Sequence, residues 1–288
     1  MKRVFLLAHP AGHSLSPALH NAAFAATGLK AHYEARDVAP EDLAEAVAAL
    51  RAPDVLGANV TIPHKPAVLP LMDTLTVTAE AIGAVNTIVN REGELLGHNT
   101  DAAGFLRALQ EDAGLELSGT TALLLGAGGA ARAVVYALLS AGVERVQIYN
   151  RTVDKARALA ADFGALGRVE VLSEQALPKA VRQTQLLVNT TSVGMERGGV
   201  NPDVSPLPEG VLPQNGFVCD LVYRPEHTRL LQDAAAAGLL TQNGLPMLVY
   251  QGAAAFQRWT KCAAPLEVMM TAARGALAHS PSRASKSG

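Results

Sequence analysis

The amino-acid sequence predicts an α/β protein made of two domains. Its 288 residues exceed one domain of typical size, about 100 to 200 residues, and are enough for two that share a cleft. Hydrophobic residues make up 49% of the chain, with Ala, Leu and Val prominent, which suits helices packed on a buried parallel sheet. Apolar strand-like runs alternate with helical stretches, as in chains of βα units.

The first predicted domain covers residues 1–102. Ser16 fits the N-cap of its first helix, Pro17 the first helical residue and Gly28 the end. A turn at 90–93 separates two apolar runs and predicts a β-hairpin. The other predicted elements are strands at VFLLA (4–8), AHYEARDV (31–38) and VLGANV (55–60), a helix from about Pro40, and the hairpin arms AVNTIV (84–89) and ELLGHN (94–99).

The second predicted domain covers residues 103–244 and is of the Rossmann type, a doubly wound parallel sheet. A helix from about Asp101 to Asp112 leads into it. The apolar strand TALLL at 121–125 then runs directly into a glycine-rich turn and a helix over 130–141, which ends at Gly142. The pattern fits a sheet of six parallel strands. The further predicted elements of this domain are VQIY (146–149), a helix from Thr152, VEVL (169–172), LLVN (186–189) and FVCDL (217–221).

The C-terminal part is predicted to return to the first domain. Pro246 and Pro265 each stand at the start of a helical stretch, and we expect the helices within 245–278 to brace the first domain, which makes that domain discontinuous in sequence. The tail at 279–288 has no apolar periodicity and is predicted to be disordered.

Composition and charge exclude several functional classes. A net charge of -2, with Lys and Arg scattered along the chain, predicts no nucleic-acid partner. The N-terminal apolar run is shorter than a signal-peptide core, and no run approaches the roughly 18 residues of a membrane span, so we expect a soluble, cytoplasmic protein with no membrane partner. Cys219 and Cys262 are far apart and fit reduced thiols. Because Pro10 and Gly12 separate His9 from His13, a helical metal-ligand pair is ruled out there, and no metal is expected.

The glycine-rich turn has the spacing of a dinucleotide-binding motif. Gly126, Gly128 and Ala131 satisfy GxGxxA directly between a strand and a helix. Without side chains at the two glycines, the backbone can approach a pyrophosphate, and the helix N-terminus supplies N–H donors. The same residues also fit a tight turn that is merely rich in small residues.

The end of the next strand predicts which dinucleotide binds. An NAD enzyme carries Asp or Glu at this position, whereas this chain has Asn150, Arg151 and Thr152. Arg151 can form two hydrogen bonds to a 2′-phosphate, Thr152 adds a hydroxyl and Lys155 a second positive charge, so NADP is the predicted cofactor. Thr152 also fits a helix cap, and Arg151 a solvated arginine.

Lys65 is the candidate catalytic residue. It ends the stretch NVTIPHK at 59–65, where a helix is expected to begin, and a helix N-terminus disfavours positive charge, which indicates a chemical role. Taken alone, it also fits an ordinary solvated lysine. The residues NTTSVGM at 189–195 leave another strand end and are expected to line the same cleft, although Asn189, Thr190 and Thr191 also fit an ordinary turn.

Taken together, the motifs resemble the shikimate dehydrogenase family, whose members reduce 3-dehydroshikimate with NADPH. The resemblance spans almost the whole chain, and the ordered set of motifs is far more specific than any one of them. It rests on HSLSPALHN (13–21), NVTIPHK, GAVNT (83–87), GHNTD (97–101), GAGGAARA (126–133), NRT (150–152), NTTSVGM, DLVYRPEHT (220–228) and GLPMLVYQG (244–252).

The resemblance implies a role for each matching residue. Lys65 and Asp101 are the implied catalytic pair, although Asp101 also fits a helix cap. The residues implied to bind substrate are Ser14 and Ser16 at the carboxylate, Asn59, Thr61, Asn86 and Gln251 at the ring hydroxyls, and Tyr223 on one side. The residues implied to contact NADP are Gly126, Ala127, Gly128, Gly129, Ala130, Ala131, Asn150, Arg151, Thr152, Lys155, Asn189, Thr190, Thr191, Met195, Leu221 and Gly244.

Two positions depart from the family pattern. Ala8 stands where the family commonly has glycine, and Lys155 where an arginine often assists phosphate binding, which loosens the expected phosphate selectivity. The alternatives are a quinate/shikimate dehydrogenase that accepts NAD or quinate, and a non-catalytic sensor of NADP and a cyclic acid. A monomer and a homodimer both fit the sequence.

Overall fold

The structure is a computed structural model that describes residues 1–12, 14–196 and 201–279. It contains two six-stranded sheets, and helices pack against both. The predicted α/β class is confirmed. Nine of the ten tail residues, 280–288, and His13 of the first motif lie outside the described residues.

The first sheet is mixed and has the strand order β2-β1-β3-β5-β6-β4. Its strands β1 to β6 are, in chain order, Lys2–Ala8, Ala31–Asp37, Val55–Val60, Thr74–Leu75, Thr87–Arg91 and Glu94–His98. β1 pairs in parallel with β2 and β3, whereas β5 runs antiparallel to β3 and β6. The predicted hairpin is therefore confirmed as β5–β6, and Glu92 and Gly93 form its turn with φ of 54° and 96°.

The second sheet is parallel throughout and has the order β12-β11-β10-β7-β8-β9. Its strands β7 to β12 are Thr121–Leu125, Arg145–Tyr149, Val169–Val171, Leu186–Asn189, Phe217–Asp220 and Leu240–Gln242. From β7 the chain first builds outward through β8 and β9, then returns to add β10 on the other side. The carboxyl ends of β7 and β10 thus flank the switch point at which doubly wound sheets bind ligands.

Ten helices connect or cover the strands in the described part of the chain. Helices α1 to α10 are Ser16–Thr27, Leu43–Ala48, Val77–Ile82, Asp101–Arg107, Gly129–Ser140, Val153–Phe163, Leu177–Gln183, Arg229–Ala236, Leu245–Thr260 and Leu266–Ala278. A π-helical segment, Ala108–Asp112, continues α4 to the predicted end of that helix. The sequence had not predicted α3, α7 or α8. None of the described helices is long and apolar enough to cross a membrane.

Two expectations about helix starts are wrong, and a third, the cap at Thr152, is confirmed in position only. Ser16 is the first residue of α1 rather than its cap, and the hydroxyl of Ser14 accepts a hydrogen bond from the Ser16 N–H at 3.2 Å. Thr152 is the N-cap residue of α6, yet its side chain makes no capping hydrogen bond. No helix begins at Lys65, which lies in a run of turns after β3. The electrostatic misfit that first marked this lysine does not exist.

The last two helices pack on the first sheet. Val249 and Phe256 of α9 and Met269 of α10 share one buried cluster with Val4 and Leu6 of β1. A close approach between helices fixes the position of α9, because a Cβ added at Gly104 of α4 would lie 2.6 Å from the backbone nitrogen of Gln251. The start of α4 and the middle of α9 are therefore brought to the same place.

Candidate active site

A cleft of about 280 Å³ is lined by residues from both sheets. It lies at the carboxyl ends of β1 and β3 in the first sheet and of β10 and β11 in the second. The predicted site residues that line it are Ser14, Ser16, Asn59, Thr61, Lys65, Asn86, Asp101, Ala130, Thr190, Thr191, Met195, Leu221, Tyr223, Gly244 and Gln251. Every predicted substrate-side residue is thus on its wall.

Lys65 and Asp101 form an ion pair in this cleft. The Lys65 Nζ lies 2.7 Å from Asp101 Oδ2, and the two side chains are only 12% and 6% exposed. Lys65 is held from both sides, because its carbonyl accepts from Val85 N–H and the preceding His64 ring is bonded to the Val38 carbonyl. A solvated lysine is therefore ruled out. Asp101 begins α4 without capping it, since its carboxylate is turned toward the lysine.

Asn86 connects the ion pair to the rest of the substrate side. Its Nδ2 lies 2.9 Å from Asp101 Oδ1, 2.9 Å from Thr100 Oγ1 and 3.2 Å from Gln251 Oε1, three acceptors that share its two hydrogens. Its Oδ1 accepts from the Thr100 N–H and from Thr87 Oγ1. The amide thereby fixes a residue from α4 and one from α9 in a single hydrogen-bond network.

Asn59 belongs to the same network. Its Nδ2 donates to the Asn86 carbonyl at 3.1 Å and to Thr87 Oγ1 at 3.0 Å, and its Oδ1 accepts from the Tyr33 hydroxyl at 2.9 Å. Sequence reasoning missed Tyr33, Thr87 and Thr100. Tyr33 lies in a run that the sequence marks only as a strand, and nothing in that run indicates that its hydroxyl reaches Asn59 across β1.

The glycine-rich turn fits a dinucleotide. Gly126 has a φ of 111°, and a Cβ there would lie 2.7 Å from Thr190 Oγ1 and 2.8 Å from Thr191 Cγ2. Gly128 precedes α5 and has open space where a side chain would be, which leaves the N-terminus of the helix accessible to a phosphate. Gly129 lies beside the Lys65 side chain, since a Cβ there would be 3.9 Å from Lys65 Cβ. The turn and the Lys65–Asp101 pair thus face each other.

The loop after β10 is shaped by buried polar groups. Asn189 is fully buried and donates to Asp220 Oδ1 at 2.9 Å, while its own Oδ1 accepts from Thr191 N and Oγ1. Burial raises the pKa of Asp220 to about 6, against the opposing effect of hydrogen bonds from Thr228, Val222 and Asn189. Asn189 does not line the cleft, and Thr190 and Thr191 do.

The remaining predicted cofactor residues lie in the turn after β7, inside α5, at the end of β8 or in the first turn of α6. Arg151, Thr152 and Lys155 are exposed, and the Arg151 and Lys155 side chains make no hydrogen bond or ion pair with the described residues. Asn150 is half-buried and donates to the Thr152 carbonyl. Ala131 is buried in the core against the sheet.

Arg132 links α5 to α3 and α6, and the sequence had not indicated it. It lies on α5, yet its Nε donates to the Ile82 carbonyl at the end of α3, and its Nη1 lies 2.6 Å from Asp162 Oδ2 on α6. Gly83 makes room for this guanidinium, because a Cβ there would lie 2.7 Å from Arg132 Nη2. Arg224 and Glu196 also line the cleft and had not been predicted.

These features define a class of protein. A parallel sheet with a dinucleotide-type turn, facing a pocket that holds a buried Lys–Asp pair, is the arrangement of a two-domain oxidoreductase that works with a nicotinamide nucleotide. Comparison with known proteins identifies the family. Three family models match the chain: the shikimate dehydrogenase substrate binding domain at 6–88, shikimate/quinate 5-dehydrogenase at 108–196, and the shikimate 5'-dehydrogenase C-terminal domain at 244–274.

Individual proteins agree with these models. The shikimate dehydrogenase (NADP(+)) of Symbiobacterium thermophilum is 49% identical over 285 residues, which cover 96% of this chain and 95% of the relative. The structure resembles shikimate 5-dehydrogenase of Thermus thermophilus, solved with NADP(H) and shikimate, with a TM-score of 0.87, 46% identity and coverage of 96% and 100% of the two chains. Quinate dehydrogenase of Corynebacterium glutamicum with NAD gives a TM-score of 0.87 at 30% identity, covering 95% and 99%. The chain belongs to the shikimate dehydrogenase family.

Proposed function

We propose that this protein catalyses the reversible, NADPH-dependent reduction of 3-dehydroshikimate to shikimate. The observation that supports it most strongly is the buried Lys65–Asp101 pair, which lies in a cleft beside the dinucleotide-type turn. Family membership supports the same activity. In this proposal, residues 1–102 with helices 245–278 form the substrate domain, residues 103–244 the NADP domain, and the protein acts in the cytoplasm.

Lys65 is the proposed proton donor. One of its three N–H groups is bonded to Asp101, which leaves two for the substrate. NADPH, when bound, supplies the hydride that reduces the ketone. Lys65 donates a hydrogen bond to the ketone oxygen and transfers its proton there as negative charge develops, and it takes the proton back in the reverse direction. Asp101 orients the amine and accepts a hydrogen bond from a neighbouring ring hydroxyl.

The other residues on the first-sheet side are proposed to bind the substrate. Ser14 and Ser16 hold the carboxylate, and Thr61, Gln251 and Asn59 bond the ring hydroxyls. Tyr223 closes one side of the pocket. Because the donors of Asn86 are already directed to Asp101, Thr100 and Gln251, we assign to Asn86 mainly the orientation of these neighbours.

The cofactor is proposed to lie along the second sheet. The open space at Gly128 and the free N-terminus of α5 fit the pyrophosphate. Arg151, Thr152 and Lys155 are exposed where a 2′-phosphate needs positive charge and a hydroxyl. Thr190, Thr191 and Met195, together with Leu221 and Gly244, line the side of the cleft where the nicotinamide ring would lie.

Steady-state rates distinguish this function from its alternatives. Initial rates should be measured with shikimate and with quinate, each against NADP⁺ and NAD⁺, through nicotinamide absorbance. We expect the highest kcat/KM for shikimate with NADP⁺. Comparable rates with quinate or NAD⁺ would instead favour a quinate/shikimate dehydrogenase, and the absence of a rate in all four combinations would favour a non-catalytic sensor.

A further inference from the structure

We propose that Tyr33 is a positioning residue that holds Oδ1 of Asn59, whose hydrogen-bond polarity the Asn86 carbonyl sets, so that the site recognises a hydroxyl hydrogen of the substrate there. Three residues of the described chain carry this role: Tyr33 on β2, with His20 and Asn21 on α1. The first motif includes the last two, and the proposed mechanism does not use them. The inference rests on the proposed function, because it concerns binding of the same substrate.

The orientation of the Asn59 amide follows from its neighbours. The Asn86 carbonyl can only accept, so the group 3.1 Å from it must be the Asn59 Nδ2. The second hydrogen of Nδ2 goes to Thr87 Oγ1. Both N–H groups are therefore occupied within the protein. Oδ1 accepts from the Tyr33 hydroxyl, and the His20 ring also lies within hydrogen-bonding reach of the Asn59 side chain. With both N–H groups used, Asn59 can offer the cleft an acceptor only.

Tyr33 is held in place by the backbone and by its ring. Asn21 bonds both backbone groups of Tyr33, accepting from its N–H at 2.8 Å and donating to its carbonyl at 2.9 Å. The His20 ring stacks on the Tyr33 ring at 4.5 Å with an angle of 12° between the planes, and Trp259 packs against both rings. The hydroxyl is therefore held beside Asn59 Oδ1, where it also hydrogen-bonds with the Ser16 side chain.

Burial keeps these groups in the required protonation states. Tyr33 is 1% exposed, and its burial raises the pKa of the phenol, so the hydroxyl keeps its proton and donates. Burial lowers the pKa of His20 to about 3, so the ring that stacks on Tyr33 is neutral. A neutral ring adds no charge beside the substrate.

The experiment compares two variants. Tyr33→Phe keeps the stacked ring and removes only the hydroxyl, and Phe24→Leu changes packing in the same buried cluster without touching the hydrogen-bond network. The dissociation constant of shikimate should be measured by calorimetry without cofactor, alongside that of NADP⁺. We expect Tyr33→Phe to weaken shikimate binding about 3- to 10-fold and to leave NADP⁺ binding unchanged. Phe24→Leu should lower Tm and leave both constants unchanged.

Fluorinated substrates test the polarity itself. Fluorine in place of a hydroxyl accepts hydrogen bonds weakly and cannot donate one. At the one ring position that Asn59 contacts, the fluoro analogue should therefore bind wild-type protein as weakly as the deoxy analogue does. In Tyr33→Phe, that loss should shrink by the same 3- to 10-fold factor.

Several outcomes would overturn the inference. One is unchanged shikimate binding in Tyr33→Phe, and another is an equal loss of shikimate affinity in Phe24→Leu. The third is that, for wild-type protein, no fluoro analogue loses as much affinity as the deoxy analogue of the same ring position. The last measurement needs no variant. Failure of the proposed function would look different, since wild-type protein would then show no shikimate oxidation with NADP⁺.

Discussion

On the first-sheet side of the cleft, the polar side chains are buried and bonded to one another, whereas on the second-sheet side the cations proposed to hold the cofactor are exposed and unpaired. Lys65, Asp101, Asn86 and Asn59 are joined to one another by hydrogen bonds within the protein. Arg151, by contrast, has no partner among the described residues. A preorganised site suits a reaction in which charge develops at one oxygen, and exposed charges suit a phosphate that must bind and leave.

The largest effect should come from a variant that disrupts the buried network on the first-sheet side of the cleft. General acid–base steps contribute about 100- to 10,000-fold, so we expect Lys65→Ala to lose that much kcat while the dissociation constant of NADP⁺ changes little. The measurements are steady-state rates and cofactor titration. Lys30→Ala removes an exposed lysine and serves as the control. Ordinary turnover in Lys65→Ala would remove this lysine from the mechanism.

The variant Asp220→Asn tests whether the second-sheet side also has buried, hydrogen-bonded polar groups that affect stability. The pKa of Asp220 is about 6 when folded and 3.8 in its ordinary state, so the stability that its protonated form gives is present below pH 3.8 and is lost as the pH rises through 6. A shift of this size corresponds to about 3 kcal/mol. Asp220→Asn imitates the protonated group and should not show this loss.

The measurement is the free energy of unfolding of both proteins between pH 4 and 7. Relative to Asp220→Asn, wild-type protein should lose stability as the pH rises from about 4 to 6 and then level off. Burial lowers the pKa of His20 to about 3 and of His98 to about 4, which makes the fold less stable in acid. These contributions cancel in the difference between the two proteins. A difference that does not depend on pH would mean that Asp220 is ionised throughout.

The smallest expected effect concerns the exposed side. Arg151→Ala should weaken NADPH binding about 10- to 150-fold, because one charge-assisted hydrogen-bond donor to the 2′-phosphate is lost, and should affect NADH much less. Dissociation constants for both nucleotides provide the test. Arg157→Ala, on the helix α6 that follows Arg151, removes a cation that is paired with Asp154 and should change neither constant. Equal losses for NADPH and NADH would contradict the assignment of Arg151.

The sequence predicts most of the fold because its strongest local patterns are decisive. Apolar runs of strand length, a strand followed at once by GxGxxA, and a turn between two alternating runs each specify one local structure. Short elements such as α3 and β12 have no such pattern. The cap position at Ser16 was wrong, and Thr152 is at the cap position without a capping bond, because cap preference ranks residue types, whereas the actual bond depends on where the chain enters the helix.

The site is less predictable from sequence than the fold. The expected substrate-side residues lie together in the cleft, yet the premise for Lys65 failed, since no helix begins there. Tyr33 and Arg132 were not predicted, because their roles depend on contacts between elements that are distant in sequence. The Tyr33 hydroxyl bonds Asn59 across β1, and Arg132 on α5 bonds the carbonyl at the end of α3. Such contacts leave no periodic pattern in the sequence.

The packing of α9 and α10 on the first sheet has a consequence for synthesis of the chain. Val4 and Leu6 emerge from the ribosome first, but their partners Phe256 and Met269 emerge near the end. The nascent first sheet, whose last strand ends at His98, therefore carries an uncovered apolar face until α9 emerges, whereas the last strand of the second sheet ends at Gln242. The part of the protein made earliest is completed last, and Gln251 reaches Asn86 only at that final stage.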